Sequence, residues 1–256
     1  MASRKAFLAL FLLIASLLTA EELSVAAASD LNFALRDIAA AYQQKTGNTL
    51  KISYGSSGNF FTQIQNGAPF DIFFSADSEF PRQLQAASLT EPGTLYPYAT
   101  GKIVLWVPNS SKLDITRGLQ VLLDPAVHKI SIANPKHAPY GRAAEAALKK
   151  SGIYDKVASK LVLGENISQT SQFVETGNAD VGILALSLAL SPTMKSRGRY
   201  FEIPNDLYSP LQQSAVILAR SSHKGIAAEF MTFLKSATAQ KIFERYGFTS
   251  GTTEKP

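Results

Sequence analysis

The sequence predicts an α/β fold with two lobes, and three observations support this prediction. Short runs rich in β-branched and aromatic residues alternate with segments whose apolar residues recur at helical spacing. The apolar run at residues 71–74 is continuous, as in parallel strands that are covered on both faces. The alternation forms two series with no Pro/Gly-rich linker between them. We therefore predict two Rossmann-like lobes with mixed sheets, joined by a hinge and separated by a cleft.

The first series begins at Leu23. A strand at 23–28 precedes a helix whose apolar residues are Leu31, Leu35, Ile38 and Tyr42, and which Gly47 ends. The next elements are a strand at 50–54, a Gly/Ser loop, a helix that stops at Gly67, and the strand at 71–74.

The second series begins near Gly101. Its predicted strands are 103–107, 129–133, 161–163 and 181–184, with helices at about 140–150 and 168–176. A late strand at 215–219 and a helical region at 226–246 follow. We assign residues 21–101 and 213–256 to lobe 1 and residues 102–212 to lobe 2, so that the chain crosses between the lobes more than once.

The N-terminal residues have the pattern of a secretory signal peptide. Arg4 and Lys5 precede an apolar run at 6–18, and small residues follow up to Ala20. The run is short for a membrane span, although a retained anchor helix is the alternative. We expect residues 1–20 to be removed on export, which predicts a periplasmic protein.

The composition excludes several classes of protein. The formal net charge is +5, but no cluster of Lys and Arg marks a nucleic-acid surface. With no cysteine, the exported fold does not depend on disulfides. After the signal peptide, no apolar run approaches the length needed to span a bilayer.

Four segments share one pattern, in which a strand ends, small residues follow and a helix begins. A helix N-terminus has unpaired backbone N–H groups and a partial positive charge, so it attracts anions. Ser29 and Ser57 add hydroxyl donors. One segment alone is explained more simply as a helix cap or a turn, whereas four together indicate an anion site in the cleft. The segments are 26–30, 54–59, 137–141 and 164–168.

The chain resembles the periplasmic molybdate-binding proteins of ABC importers, which have the type II periplasmic binding protein fold. The resemblance covers most of the residues after Ala20 and depends on Ala26–Ser29, the block at 67–77 (GAPFDIFFSAD) and the closing segment at 242–248 (IFERYGF). It implies a ligand, molybdate or tungstate, and a membrane permease as partner. We expect no cofactor, no enzymatic activity and a monomer.

The resemblance also implies four binding residues. Ser29 matches a serine that donates its hydroxyl to the oxyanion, and Ser57 matches a serine that donates through its hydroxyl and its backbone N–H. Tyr140 and Ile167 match positions that donate backbone N–H groups. Molybdenum would be held only as the oxyanion, through these residues. Some members of the family have a further donor, a tyrosine, at the position where this chain has Ala185.

Two charged residues lie close to these positions. Asp30 at the start of a helix is explained by the helix dipole, so we expect it to face solvent. If it instead lines the cleft, it would accept a proton from an anion such as hydrogen phosphate. We expect Arg142 to pair with a surface acid, the alternative being that it guards the cleft.

Other functions remain as alternatives. One alternative keeps the fold but changes the ligand to sulfate, phosphate or another small anion. Another is a periplasmic enzyme or a sensor domain that uses the same scaffold. His128, His137 and His223 lack metal-ligand spacing, and no Gly-x-Ser-x-Gly motif accompanies Ser29 and His137. Tyr54 and Tyr140 suggest the tyrosine pair of iron-binding relatives, but their separate placement argues against it.

Overall fold

The computed structural model describes residues 21–251, and the predicted signal peptide lies outside them. The strands are β1 (Glu22–Ala28), β2 (Thr49–Gly55), β3 (Ile72–Ser75), β4 (Tyr96–Gly101), β5 (Ile103–Pro108), β6 (Ile130–Ala133), β7 (Leu161–Gly164), β8 (Val181–Ala185), β9 (Gly198–Glu202), β10 (Leu211–Ile217) and β11 (Thr249–Ser250). The helices are α1 (Asn32–Thr46), α2 (Ser57–Gln65), α3 (Glu79–Ala86), α4 (Pro139–Lys150), α5 (Tyr154–Val157), α6 (Ile167–Glu175), α7 (Leu186–Ala189), α8 (Pro192–Arg197), α9 (Lys224–Phe233) and α10 (Ala237–Arg245).

Two mixed sheets form the two lobes, which confirms the predicted fold class. The lobe 1 sheet has the order β11-β4-β10-β3-β1-β2, and the lobe 2 sheet has the order β7-β6-β8-β5-β9. In the first sheet β1 is parallel to β2 and β3, while β10 is antiparallel to β3 and β4. In the second sheet β6 is parallel to β7 and β8, while β5 is antiparallel to β8 and β9.

The chain passes between the sheets at two places. The first is at Lys102, between β4 and β5, and the second lies between β9 and β10. β10 then enters the middle of the lobe 1 sheet, so its first residues, Leu211 and Gln212, lie within the range that we assigned to lobe 2. Two short crossings are the geometry of a hinge.

Each lobe has its own core, because the apolar faces of its helices cover its own sheet. Trp106 is buried in the core of lobe 2, and Tyr42 is buried in the core of lobe 1. In α1, the buried residues Leu35, Ile38 and Tyr42 follow the predicted helical spacing, and Gly47 ends the helix in a left-handed conformation. The two cores allow the lobes to move relative to each other without unfolding.

Some elements differ from the predictions. The predicted helical region at 226–246 is two helices, because Ser236 caps the second of them through the N–H of Ala239. The predicted strand at 215–219 begins earlier, at Leu211, and the strand β9 was not predicted. Within residues 21–251, no helix is long and apolar enough to cross a membrane.

Candidate functional site

A small cavity lies between the lobes, where the predicted segments meet. Ser29, at the end of β1, and Ser57, the first residue of α2, come from lobe 1. Tyr140, the second residue of α4, and Ile167, the first residue of α6, come from lobe 2. The structure therefore brings all four candidate residues together. The complete lining is Ala28, Ser29, Asp30, Gly55, Ser56, Ser57, Ala76, Ala138, Pro139, Tyr140 and Ile167.

Three helices begin at this cavity, and their first backbone N–H groups have no acceptor within the helix. Ser57, Tyr140 and Ile167 lie in these first turns. Pro139 precedes Tyr140 in α4 and has no N–H, so Tyr140 is the first donor of that helix. The N-terminal ends of three helix dipoles create a positive potential here without a cationic side chain. No Lys or Arg belongs to the described lining.

The two serine hydroxyls are held differently. Ser57 Oγ accepts the N–H of Ala76 at 3.0 Å, which leaves the hydroxyl proton free to donate. Ser29 Oγ accepts the N–H of Ser168 at 3.2 Å and donates to Asn166 Oδ1 at 3.1 Å. Because Asn166 Oδ1 also accepts the N–H of Gln169, it keeps a partner if the Ser29 hydroxyl turns towards a ligand.

Asp30 lines the same cavity, and its solvent-facing orientation predicted from sequence is wrong. Its exposed fraction is only 1%. Its Oδ2 accepts hydrogen bonds from the Tyr140 hydroxyl at 3.1 Å and from Gln213 Nε2 at 2.7 Å. These two donors, one on α4 and one on β10, partly compensate for the desolvation of a buried carboxyl group.

The protonation of Asp30 reflects this burial. Desolvation raises the pKa of its carboxyl group to about 7, although the hydrogen bonds from Gln213 and Tyr140 act in the opposite direction. Its second oxygen, Oδ1, is buried and has no hydrogen-bond partner among the described residues. Asp30 is therefore a carboxyl group that can exist with or without its proton near neutral pH.

A buried network extends from Asp30 into both lobes. Gln213 Nε2 also donates to the Tyr140 hydroxyl at 3.0 Å, and the Tyr98 hydroxyl donates to Gln213 Oε1 at 2.6 Å. A side chain at Gly101 would overlap the Tyr140 hydroxyl, so the hinge needs glycine there. Sequence reasoning missed Gln213 and Tyr98. The signal was a pair of glutamines directly before an apolar run, but the strand was predicted to begin after them.

The lobes also contact each other beside the cavity. Gly58 N–H donates to the His137 carbonyl at 2.9 Å, and a Cβ at Gly58 would lie only 2.7 Å from that oxygen. His137 Nδ1 lies 3.0 Å from Ser56 Oγ, and Asn59 Nδ2 donates to Glu165 Oε1 at 2.6 Å. Glycine at position 58 thus allows the two backbones to approach.

Arg142 joins the lobes at another edge of the cleft. Its guanidinium group lies 2.5 Å from Asp77 Oδ2 and 5.3 Å from the ring centre of Phe80, both in lobe 1. Arg142 therefore pairs with an acid, as we expected, but the Asp77 side chain is only 15% exposed and does not lie at the surface. Burial raises the pKa of Asp77, while Arg142 acts in the opposite direction.

Comparison with known proteins identifies the family. The sequence model of the bacterial extracellular solute-binding protein family matches residues 23–249. The chain belongs to this family. A cleft between two lobes is consistent with a solute-binding protein, since a ligand there contacts both lobes.

Two relatives of this solute-binding protein are molybdate-binding proteins named ModA. The protein from Azotobacter vinelandii is 39% identical over 236 residues, covering 92% of this chain and 93% of its own. The protein from Rhodobacter capsulatus is 37% identical over 231 residues, covering 90% and 89%.

Solved structures agree with the fold. The Azotobacter vinelandii periplasmic molybdate-binding protein superposes with a TM-score of 0.85 at 33% identity, covering 90% of this chain and 100% of that one. The sulfate-binding protein SubI from Mycobacterium tuberculosis has a TM-score of 0.74 at 16% identity, which shows the shared fold alone.

The remaining candidates lie outside the cavity of this solute-binding protein. Ala185 ends β8 and is fully buried in the core of lobe 2, so the position predicted to lack the tyrosine donor does not line the cavity. Tyr54 is also outside the lining, which separates it from Tyr140. His223 pairs with Asp71 within lobe 1, and His128 is exposed. Among residues 21–251, no three His, Cys, Asp or Glu side chains form a metal-binding group.

Proposed function

We propose that this protein binds molybdate in the periplasm and delivers it to the membrane permease of an ABC importer. The observation that carries the proposal is the meeting of three helix N-termini and two serine hydroxyls in one cavity between the lobes. The names of the two relatives, which cover almost the whole chain, support molybdate as the anion.

Neutral donors suit a fully deprotonated tetrahedral dianion. Each hydrogen bond to a charged group contributes roughly 1.5–3 kcal/mol, so a few well-placed donors are sufficient for tight binding. Donors at fixed positions also select for size, because a smaller oxyanion cannot reach all of them. We therefore propose that tungstate binds like molybdate, and that sulfate binds more weakly.

The two lobes contribute different donors, and this links binding to closure. Ser29 and Ser57 belong to lobe 1, whereas Tyr140 and Ile167 belong to lobe 2. A ligand that contacts both sets stabilises the closed arrangement over an open one. We propose that the permease recognises the closed form of a monomer, and that neither a cofactor nor catalysis is involved.

Hydrogen phosphate is a second candidate, favoured by the position of Asp30. A carboxylate in the cavity lining can accept the proton that hydrogen phosphate carries. Molybdate at neutral pH has no such proton and requires donors only.

Calorimetric titration of residues 21–256 with molybdate, tungstate, sulfate and phosphate distinguishes these candidates. We expect one molybdate or tungstate per chain, with micromolar or tighter affinity, and weaker binding of sulfate and phosphate. Phosphate binding as tight as that of molybdate would favour phosphate over molybdate as the proposed ligand. No binding of any of the four would contradict the proposed site.

A further inference from the structure

The two oxygens of the Asp30 carboxyl group have different surroundings. Oδ2 accepts hydrogen bonds from the Tyr140 hydroxyl and Gln213 Nε2, and Asp30 is one of the residues that line the cavity. Oδ1 is buried and has no partner among the described residues. A buried polar atom without a partner is rare and requires an explanation.

We propose that Asp30 binds the oxyanion as a neutral carboxylic acid, donating the proton on Oδ1 to a ligand oxygen, so that at alkaline pH one proton from solvent enters with each dianion. This inference rests on the proposed function, because it assigns a further donor to the same site. The O–H bond that forms on Oδ1 replaces the bond that breaks in the buffer acid, and no other covalent bond changes.

Electrostatics favour the protonated form once a ligand is present. An ionised carboxylate next to a dianion would repel it, and the described lining offers no cation to offset the repulsion. Protonation replaces that repulsion with a hydrogen bond to a charged acceptor. Burial has already raised the pKa of Asp30 to about 7, and a bound dianion would raise it further.

The groups packed around Asp30 do not provide a competing charge. Tyr140 on α4 and Tyr98 on β4 stay neutral, because burial raises the pKa of both phenols well above the ordinary value. β10 and α7 contribute Gln213 and Ser187, which do not titrate. The only titratable residue of α6 is Glu175, which pairs with Arg197.

Charged side chains on the other neighbouring elements either form pairs at the edges of the cleft or lie outside the cavity lining. At the edges of the cleft, Asp77 pairs with Arg142, and His137 lies 3.6 Å from Glu165. The remaining charged residues of α1 and β2 are exposed or half-buried: Arg36, Asp37, Lys45 and Lys51. Tyr54 on β2 is neutral, because burial raises its pKa.

The inference explains why Tyr140 and Gln213 both bond to Oδ2, since this arrangement leaves Oδ1 to hold the proton.

The test is calorimetric titration of the wild-type protein with sodium molybdate between pH 6 and pH 9, in buffers with different ionisation enthalpies. We expect the Kd to weaken above pH 7, approaching about tenfold per pH unit. The buffer series should show uptake of nearly one proton per molybdate at pH 8.5, and little uptake at pH 6. Tight binding with a flat Kd and no proton uptake would overturn the inference and leave the proposed function intact. Absence of molybdate binding at every pH would instead refute the proposed function.

Asp30→Asn assigns the proton to this residue. The asparagine oxygen can accept from Tyr140 and Gln213, while its amide replaces the Oδ1 proton with a donor that does not titrate. We expect the variant to bind molybdate with a Kd that no longer depends on pH above 7. His137→Gln and Asp77→Asn are controls, because each removes another ionisable side chain at the edge of the cleft, and both should retain the wild-type slope. A pH slope that persists in Asp30→Asn would overturn the assignment. If Asp30→Asn does not fold, absence of proton uptake in the wild type would still overturn the inference, and uptake that both controls retain would support it.

Discussion

The two sides of the cavity use different chemistry. Lobe 1 presents the hydroxyls of Ser29 and Ser57 and the carboxyl group of Asp30, together with the first N–H groups of α2, whereas both predicted donors of lobe 2 are backbone N–H groups, at Tyr140 and Ile167. Binding should therefore depend on residue identity in lobe 1. In lobe 2 it should depend on the path of the backbone, and hence on whether the lobes can close. Each prediction below separates these two dependences.

The largest effect is expected when closure itself is blocked. Gly58→Ala places a Cβ 2.7 Å from the His137 carbonyl oxygen and 2.9 Å from its Cα, atoms that move only with the backbone. Such overpacking costs roughly 3 kcal/mol in the closed state only, so molybdate binding should weaken by about a hundredfold.

Gly225→Ala is the matched control, because nothing lies within 4 Å of its added Cβ, near the start of α9. Titration of both variants with molybdate checks the prediction. Wild-type affinity in Gly58→Ala would contradict the proposed closure at this contact.

The next effect tests whether lobe 2 acts through its backbone. Ile167 is the first residue of α6 and follows the extended Asn166, a position at which helices accept proline. Ile167→Pro removes the N–H and should weaken molybdate binding by roughly 1.5–3 kcal/mol.

Ile167→Val keeps the N–H and removes only a methylene. It should bind molybdate like the wild type, although its melting temperature should fall slightly. Equal affinities of the proline and valine variants would exclude this N–H as a donor.

The serines of lobe 1 test the opposite dependence. Ser29→Ala and Ser57→Ala should each weaken oxyanion binding by about 1–3 kcal/mol, the range for a lost hydrogen bond to a charged group. Ser53→Ala is the control, since Ser53 is exposed on β2 and does not line the cavity. Titration with molybdate measures the affinities of all three variants. Wild-type affinity in both Ser29→Ala and Ser57→Ala would exclude these hydroxyls as donors.

The smallest effect is expected at the edge of the cleft. Arg142 is 38% exposed in its ion pair with Asp77, so Arg142→Ala should weaken molybdate binding by at most about 1 kcal/mol, and by less at high salt. Arg197→Ala, which breaks a pair within lobe 2, should leave the affinity unchanged. A loss as large as that in the serine variants would mean that Arg142 acts on the ligand itself.

The sequence was informative where the signal is local. Each strand-end segment contains its own small residues and its own helix start, so the four segments and the hydroxyls of Ser29 and Ser57 could be placed without knowledge of the fold. The roles of Tyr140 and Ile167 were implied by the family resemblance. The parallel arrangement of β1 with β2, and of β6 with β7, then brings the ends of neighbouring strands together.

The orientation of Asp30 could not be predicted because its partners are distant in sequence. Tyr140 is 110 residues away and Gln213 is 183 residues away, and each comes from a different element. A first-turn aspartate is normally explained by its own helix, so the local rule gave the wrong answer. The partner of Arg142 was missed for the same reason, because Asp77 belongs to the opposite lobe.

Small-angle X-ray scattering of the protein with and without molybdate tests the two-sided site most directly. Donors from both lobes can contact one small ligand only when the lobes are closed, so we expect saturating molybdate to decrease the radius of gyration. Gly58→Ala should reduce this decrease at the same molybdate concentration. An unchanged radius of gyration in the wild type, with calorimetry showing that molybdate is bound, would contradict closure of the two lobes around the ligand.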